Sequence, residues 1–214
     1  FAAGLWFPFF SSPPEKYMGD TVRIMYIHVP AAWLSQFVYA TMVVSALGTL
    51  VWRHPMADVS MKSAAPLGAA FTAMALFTGA LWGRPTWGTF WEWDGRMTST
   101  LVLLFIYLGI VALWRAFDDQ LRAARVVAIF TLVGAVNIPI IKFSVEWWST
   151  LHQPASVFRP DGPTMPPEIL TPLFVMFFAF TLLFTTLQLV AMHTEVRRRR
   201  VTTLERRAAR EGAK

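Results

Sequence analysis

Apolar and polar positions fall in long blocks along the chain rather than alternating, so the pattern predicts helical membrane spans separated by polar loops. The run from Val29 to Trp52 is almost continuously apolar. It is long enough to cross a hydrocarbon core of about 30 Å at about 1.5 Å per residue. Comparable runs cover residues 64–81, 95–114, 126–143 and 172–193. Phe1 to Phe10 is apolar but about half the length of a span. It lacks the basic start and cleavage site of a signal peptide and reads as the outer end of a truncated first span. The expected fold class is therefore all-α: a polytopic helical membrane protein with five complete spans here and six in the full protein. One domain, 1–193, is followed by a basic tail, 194–214.

The punctuation between blocks refines this layout. Pro13-Pro14 and Gly19-Asp20 mark turns in a first loop, Ser11 to Arg23. Pro30 suits the first turn of the span it opens, which leaves His28 just outside, at the mouth. A polar loop covers Arg53 to Ser63, and another covers Arg115 to Arg125. Asp94 is placed to cap a helix running through Trp114. Asn137 and Pro139 interrupt the 126–143 run near its end. Ser144 to Pro172 forms the longest loop, and six of the fourteen prolines lie between Pro154 and Pro172. A loop of that length usually carries function.

Charge adds a direction. The chain is 55% hydrophobic and 15% charged, with a net charge of +6, and eight of its nineteen Lys and Arg lie between Arg197 and Lys214. The loops at 53–63 and 115–125 together with the tail hold thirteen basic residues, against six on the alternate side. By the positive-inside rule the tail is cytoplasmic, and the first loop, the stretch after residue 81 and the proline-rich loop face outward. The basic excess is thus read as topology, not as a nucleic-acid surface. Absence of cysteine excludes disulfides, thiolate metal sites and a thiol nucleophile. Lys142, near the outer end of a span, is the only ionisable side chain well inside an apolar segment, which argues against an ion-coupled transporter. No P-loop is present, so any ATP hydrolysis belongs to a partner.

The candidate chemistry gathers on the outer side. Residues 82–94 read W-G-R-P-T-W-G-T-F-W-E-W-D. Trp82, Trp87, Trp91, Trp93, Trp147 and Trp148, six of ten tryptophans, lie in or beside two outer loops, more than an even interfacial belt would place there. As an interfacial helix, positions 87, 90, 91 and 94 share a face; as an extended strand, 87, 89, 91 and 93 do. Either way several indoles present a floor for a flat apolar macrocycle. Gly83 and Gly88 leave room for close approach. His28 and His152 share the outer side, whereas His54 and His193 lie among cytoplasmic basic residues as ordinary interfacial side chains. Two imidazoles beside an aromatic floor suggest axial ligands of a haem iron. Arg23, Arg84, Arg96 and Arg159 are available for carboxylates or lipid headgroups.

The tryptophan motif, with H-V-P-A-A-W from His28 upstream and V-E-W-W-S-T-L-H-Q from Val145 downstream, resembles the haem exporter protein C family of bacterial cytochrome c maturation. The motif alone is shared with other WWD-type haem-handling proteins and cytochrome c synthases; the two histidine contexts and the short length narrow it. The resemblance implies a bacterial inner-membrane protein that holds haem b (iron protoporphyrin IX) as a transported ligand at the periplasmic face. It implies delivery to a periplasmic haem chaperone, alongside a small single-helix membrane subunit and the ATPase and membrane subunits of an ABC transporter. Carried over, His28 and His152 are the axial ligands. Trp82, Gly83, Trp87, Gly88, Trp91, Trp93 and Asp94 form the platform, with Trp147 and Trp148 beside it. Phe90 departs from relatives that often have tryptophan there, but keeps an aromatic face. The chain is expected to be a transfer platform, with no catalytic residue of its own. A direct cytochrome c haem lyase or synthase and a haem permease are the alternatives. The former is longer and carries further histidines within its helices, which this chain lacks.

Overall fold

The computed structural model describes residues 6, 9–10, 12–14, 19–148, 150–152, 156–157 and 159–212. Among them there are six helices and no strand: α1 (Val22–Leu50), α2 (Pro55–Trp87), α3 (Gly95–Ala116), α4 (Gln120–Gly134), α5 (Asn137–Trp147) and α6 (Pro167–Glu211). With α4 and α5 joined into one crossing, five segments are long and apolar enough to cross a membrane, and the chain is a multi-pass helical membrane protein. The expected end of a preceding span falls mostly outside the described residues, as do Lys16 and parts of the first loop and of the proline-rich loop. Of the Phe1–Phe10 run, Trp6 stacks on Phe10 at 4.4 Å.

Several boundaries differ from the sequence expectation: α4 starts at Gln120 and α6 at Pro167, both earlier than expected, α5 runs on to Trp147, and three further differences bear on the site and its supports. The first concerns α1, which starts at Val22 instead of Val29, so His28 sits within the helix and not before it. Pro30 likewise lies in the helix interior and not in its first turn. An interior proline costs roughly 3 kcal/mol. The extra turns offset it by burying Val22, Met25 and Tyr26, whose hydroxyl meets Ser12 Oγ at 2.6 Å. The second difference is at α2, which begins at Pro55, so the loop before it is short. His54 Nδ1 accepts from the Met56 N–H, and Pro55 fits the first turn. The polar residues Asp58 and Lys62 are thereby helical, and both find partners on α6: Arg199 at 2.7 Å and Glu195 at 2.8 Å. The third difference is that α2 runs past Leu81 to Trp87, so the tryptophan stretch is half helix and half loop.

The 126–143 crossing is broken where Asn137 and Pro139 suggested a break. The helix stops at Ala135 and Val136, and Asn137 opens α5, placing Pro139 in its first turn. The Asn137 amide donates to Ser99 O of α3 at 2.9 Å, which ties the break to a neighbour. The core centres on two buried tyrosines set edge to face, Tyr39 and Tyr107, 5.4 Å apart. Tyr39 donates to Thr131 O at 2.9 Å and Tyr107 to Ser35 O at 2.7 Å. Gly68 faces the Tyr107 ring and Gly134 the Tyr39 hydroxyl, each too closely for a Cβ. Up-and-down connection leaves the start of α1, the end of α2, the start of α3, the end of α5 and the start of α6 at one end of the bundle. All the candidate site residues are at that end. The 194–211 segment continues α6 past the opposite end as one helix.

Candidate functional site

His28 projects from the second turn of α1 against α2. Its Nδ1 lies 3.0 Å from Ala75 O and 3.3 Å from Thr78 Oγ1. A carbonyl can only accept, so Nδ1 carries the proton and Nε2 keeps its lone pair. The ring reaches Ala75 because residue 79 is glycine: a Cβ there would stand 2.9 Å from His28 Cε1. Trp82, one helical turn further along α2, meets the His28 ring edge-on at 5.8 Å between centroids.

His152 is fixed by a different device. Its Nδ1 donates to Asp94 Oδ2 at 2.8 Å, and its backbone N–H donates to Thr150 Oγ1 at 3.1 Å. Thr150 in turn donates to the same Asp94 oxygen. The other carboxylate oxygen accepts from the Met97 N–H at 2.7 Å, so Asp94 caps α3 as expected and also orients a histidine. The Asp94 side chain is 3% exposed. Burial works against its charged form, but the donors from Met97, Thr150 and His152 prevail and hold its carboxyl below the usual range. Burial pushes His152 below its ordinary 6.5, and the Asp94 carboxylate offsets this only in part. The ring is therefore neutral near pH 7, and its Nε2 has no hydrogen-bond partner among the described residues. Trp87 packs edge-on to it at 4.7 Å.

The two histidines, 124 positions apart in number, lie within electrostatic reach of one another, and Arg96 acts on both. Each imidazole has its Nδ1 committed and one tryptophan of the motif at its side. Each imidazole so held could offer its Nε2 lone pair to a metal, and the neighbouring indoles could pack against an apolar ligand. The polar inventory fits a planar group bearing acceptors. Trp82 Nε1, Trp91 Nε1 and Arg96 Nε are buried donors with no acceptor among the described residues.

The structure distributes the remaining predicted residues unevenly. Gly88 ends α2 with φ +81°, a left-handed conformation that favours glycine, and a Cβ there would meet nothing. Gly83 is close to Trp87 and Thr89 O, at 3.1 Å from a Cβ position, so its room is taken by the protein's own chain. Trp91 and Trp93 form an edge-to-face pair at 5.3 Å, with Trp93 largely exposed. The rings of Trp147 and Trp148 are 5.8 Å apart. Trp147 stacks on Phe143, and Trp148 sits over Gly95; both are more than half exposed. Arg23 pairs with Asp20 at 3.1 Å and Arg159 with Asp161 at 3.9 Å. Arg84 folds back onto Gly88 O and lies over the Phe90 ring at 5.5 Å. Only Arg96, donating at 3.5 Å to Lys142 O, acts on both histidines.

Sequence reading missed the residues that aim the imidazoles: Ala75, Thr78 and Gly79 for His28, Thr150 for His152. Thr150 carries a faint local signal, a hydroxyl two residues before a histidine that can accept its N–H. The others depend on how α1 and α2 align and carry none.

Comparison with known proteins shows the family of the chain. The family model described as "Heme exporter protein C" matches residues 1–207. The heme exporter protein C of Bradyrhizobium diazoefficiens is 62% identical over 194 residues, covering 91% of this chain and 74% of the relative. That of Escherichia coli K12 is 48% identical over 181 residues, covering 85% and 73%. A ccmC-like mitochondrial protein of Marchantia polymorpha, named for cytochrome c biosynthesis, is 44% identical over 179 residues, covering 84% and 75%. The chain belongs to the haem exporter protein C family.

Proposed function

We propose that this protein is the haem-binding and haem-delivery subunit of a bacterial cytochrome c maturation complex. It holds haem b, its cargo, between His28 and His152 at the periplasmic face of the inner membrane and passes it to a periplasmic haem chaperone. The observation that carries the reading is the paired commitment of Nδ1. A backbone carbonyl on one side and a carboxylate on the other take the Nδ1 atoms, and neither Nε2 has a hydrogen-bond partner among the described residues. Haem supplies an iron that takes two such nitrogens.

The rest of the chain orients and shields. Trp82 and Trp87 brace the two imidazoles, Trp91 and Trp93 extend the aromatic surface, and Trp147 and Trp148 border it. Gly83 and Gly88 shape the turn that carries them. Arg96 is the cation placed for a propionate. The basic extension of α6 lies in the cytoplasm, where an ABC transporter's ATPase works; its membrane subunits and a small single-helix subunit complete the assembly. The relatives' names, heme exporter protein C and a protein of cytochrome c biosynthesis, support the same assignment.

The test is the absorption spectrum and haem content of the purified protein. The wild type should be six-coordinate and low-spin when ferric. His28→Ala and His152→Ala should each change coordination or lose haem, while His54→Ala and His193→Ala should do neither. An unchanged spectrum in the His28→Ala, His152→Ala double variant would sink the assignment.

A further inference from the structure

The two imidazoles are held by partners of different charge, and that difference has a direction. Asp94, behind His152, is an anion in a nearly closed environment. Ala75 O, behind His28, is a neutral carbonyl inside a helix, where it already accepts from the helical ladder and from Thr78 Oγ1 at 3.4 Å. Outer partners of a ligating histidine set its basicity, and an anionic acceptor on Nδ1–H makes Nε2 the stronger donor. Met97, Thr150 and His152 share the Asp94 charge, so the proton stays on His152, but the carboxylate remains an anion at hydrogen-bond distance. His152 is also held through its own backbone N–H by Thr150, which binds the same carboxylate. His28 Nδ1 lies 3.0 Å from Ala75 O and 3.3 Å from Thr78 Oγ1, two neutral partners, so no anion stands behind it.

We infer that the site is asymmetric by construction: His152, with Asp94 and Thr150 as positioning residues, is the retained ligand, and His28 is the exchangeable one whose place an acceptor's donor atom takes during hand-over. This rests on the proposed haem-binding reading. The exchange is a ligand substitution without electron transfer. The His28 Nε2 bond to the metal breaks and its lone pair returns to the imidazole, while the incoming donor supplies the pair for the new bond.

The experiment compares haem-loaded wild type with His28→Ala, His152→Ala and Asp94→Asn, reading haem retention, displacement by added imidazole and the midpoint potential. Asparagine keeps an N-cap oxygen for α3, so Asp94→Asn tests the charge without removing the cap. His28→Ala should retain haem and recover a low-spin spectrum with added imidazole, whereas His152→Ala should lose haem. Asp94→Asn should weaken haem binding roughly 10–100-fold. It should also shift the potential upward, because the anion that favours the ferric state is gone, and a merely structural role for Asp94 would not move the potential in that direction. The inference is overturned if His28→Ala loses haem as completely as His152→Ala, or if Asp94→Asn leaves the potential in place. Either result would leave bis-histidine binding standing. Histidine variants that both keep the wild-type spectrum would instead remove the binding reading beneath it.

Discussion

Replacing Gly79 by alanine is the sharpest perturbation the structure offers, because it adds one methyl group in a place that the sequence does not mark. The new Cβ would stand 2.9 Å from His28 Cε1 and 3.3 Å from Nδ1. Carbon atoms in contact settle at about 3.5–4.0 Å, so the ring must retreat by roughly 0.6–1 Å. Doing so lengthens its 3.0 Å bond to Ala75 O and turns Nε2 away from its present direction. Overpacking of this kind costs about 1–3 kcal/mol, while removing a mid-helix glycine returns about 1 kcal/mol. The net effect on the fold is therefore small, within about 2 kcal/mol. The effect on His28 as a ligand is not small, since both anchors of the ring, Ala75 O and Thr78 Oγ1, are reached through the same Nδ1. Purified Gly79→Ala should keep its helical circular dichroism and unfold within a few degrees of wild type, yet carry haem with altered coordination. Wild-type coordination and haem content in a folded Gly79→Ala protein would refute the placement of His28 against α2.

Two further outcomes follow from other parts of the molecule. In the haem-free protein His152 should titrate below 6.5, since burial dominates its partner's pull. A folded value lowered beneath the unfolded one contributes stability that is complete above about pH 6.5 and is lost as pH falls through the folded value. Histidine-selective NMR that finds a His152 midpoint at or above 6.5 would contradict the dominance of burial over the pull of the Asp94 carboxylate. At the other end, Glu195 accepts from Lys62, Arg198 and Arg199. Glu195→Ala should cost about 1–3 kcal/mol by stranding those donors. It should raise hydrogen exchange in residues 194–211 and leave any haem spectrum unaltered, because the site is at the far end of the bundle. A spectral change in that variant would show that the ends are coupled.

Much of the architecture was legible because apolar runs must be satisfied locally in a bilayer, so length alone marks a span. Asp94 was legible as a cap for the same reason, since its contact with Met97 is three residues away. The two histidines were legible as sharing one end, because successive spans alternate in direction. The true beginnings of α1 and α2 were not, because they are settled by burial of Val22, Met25 and Tyr26 and by ion pairs from Asp58 and Lys62 to α6. Those partners lie far along the chain. The aiming of His28 was illegible on the same ground: Ala75 is 47 residues away, and the contact depends on the register of two packed helices. The tryptophan stretch was ambiguous between helix and extended chain because it is both. It is helical to Trp87, reversed at Gly88 and non-helical to Asp94.

The central claim is that His28 and His152 together ligate one haem. Near-infrared magnetic circular dichroism of the ferric protein tests it most directly, because the charge-transfer band reports which two atoms lie on the axis. Wild type should give the bis-imidazole signature, and His28→Ala and His152→Ala should each abolish it. A bis-imidazole band that survives both substitutions, or a wild-type band from any other ligand pair, would contradict the account.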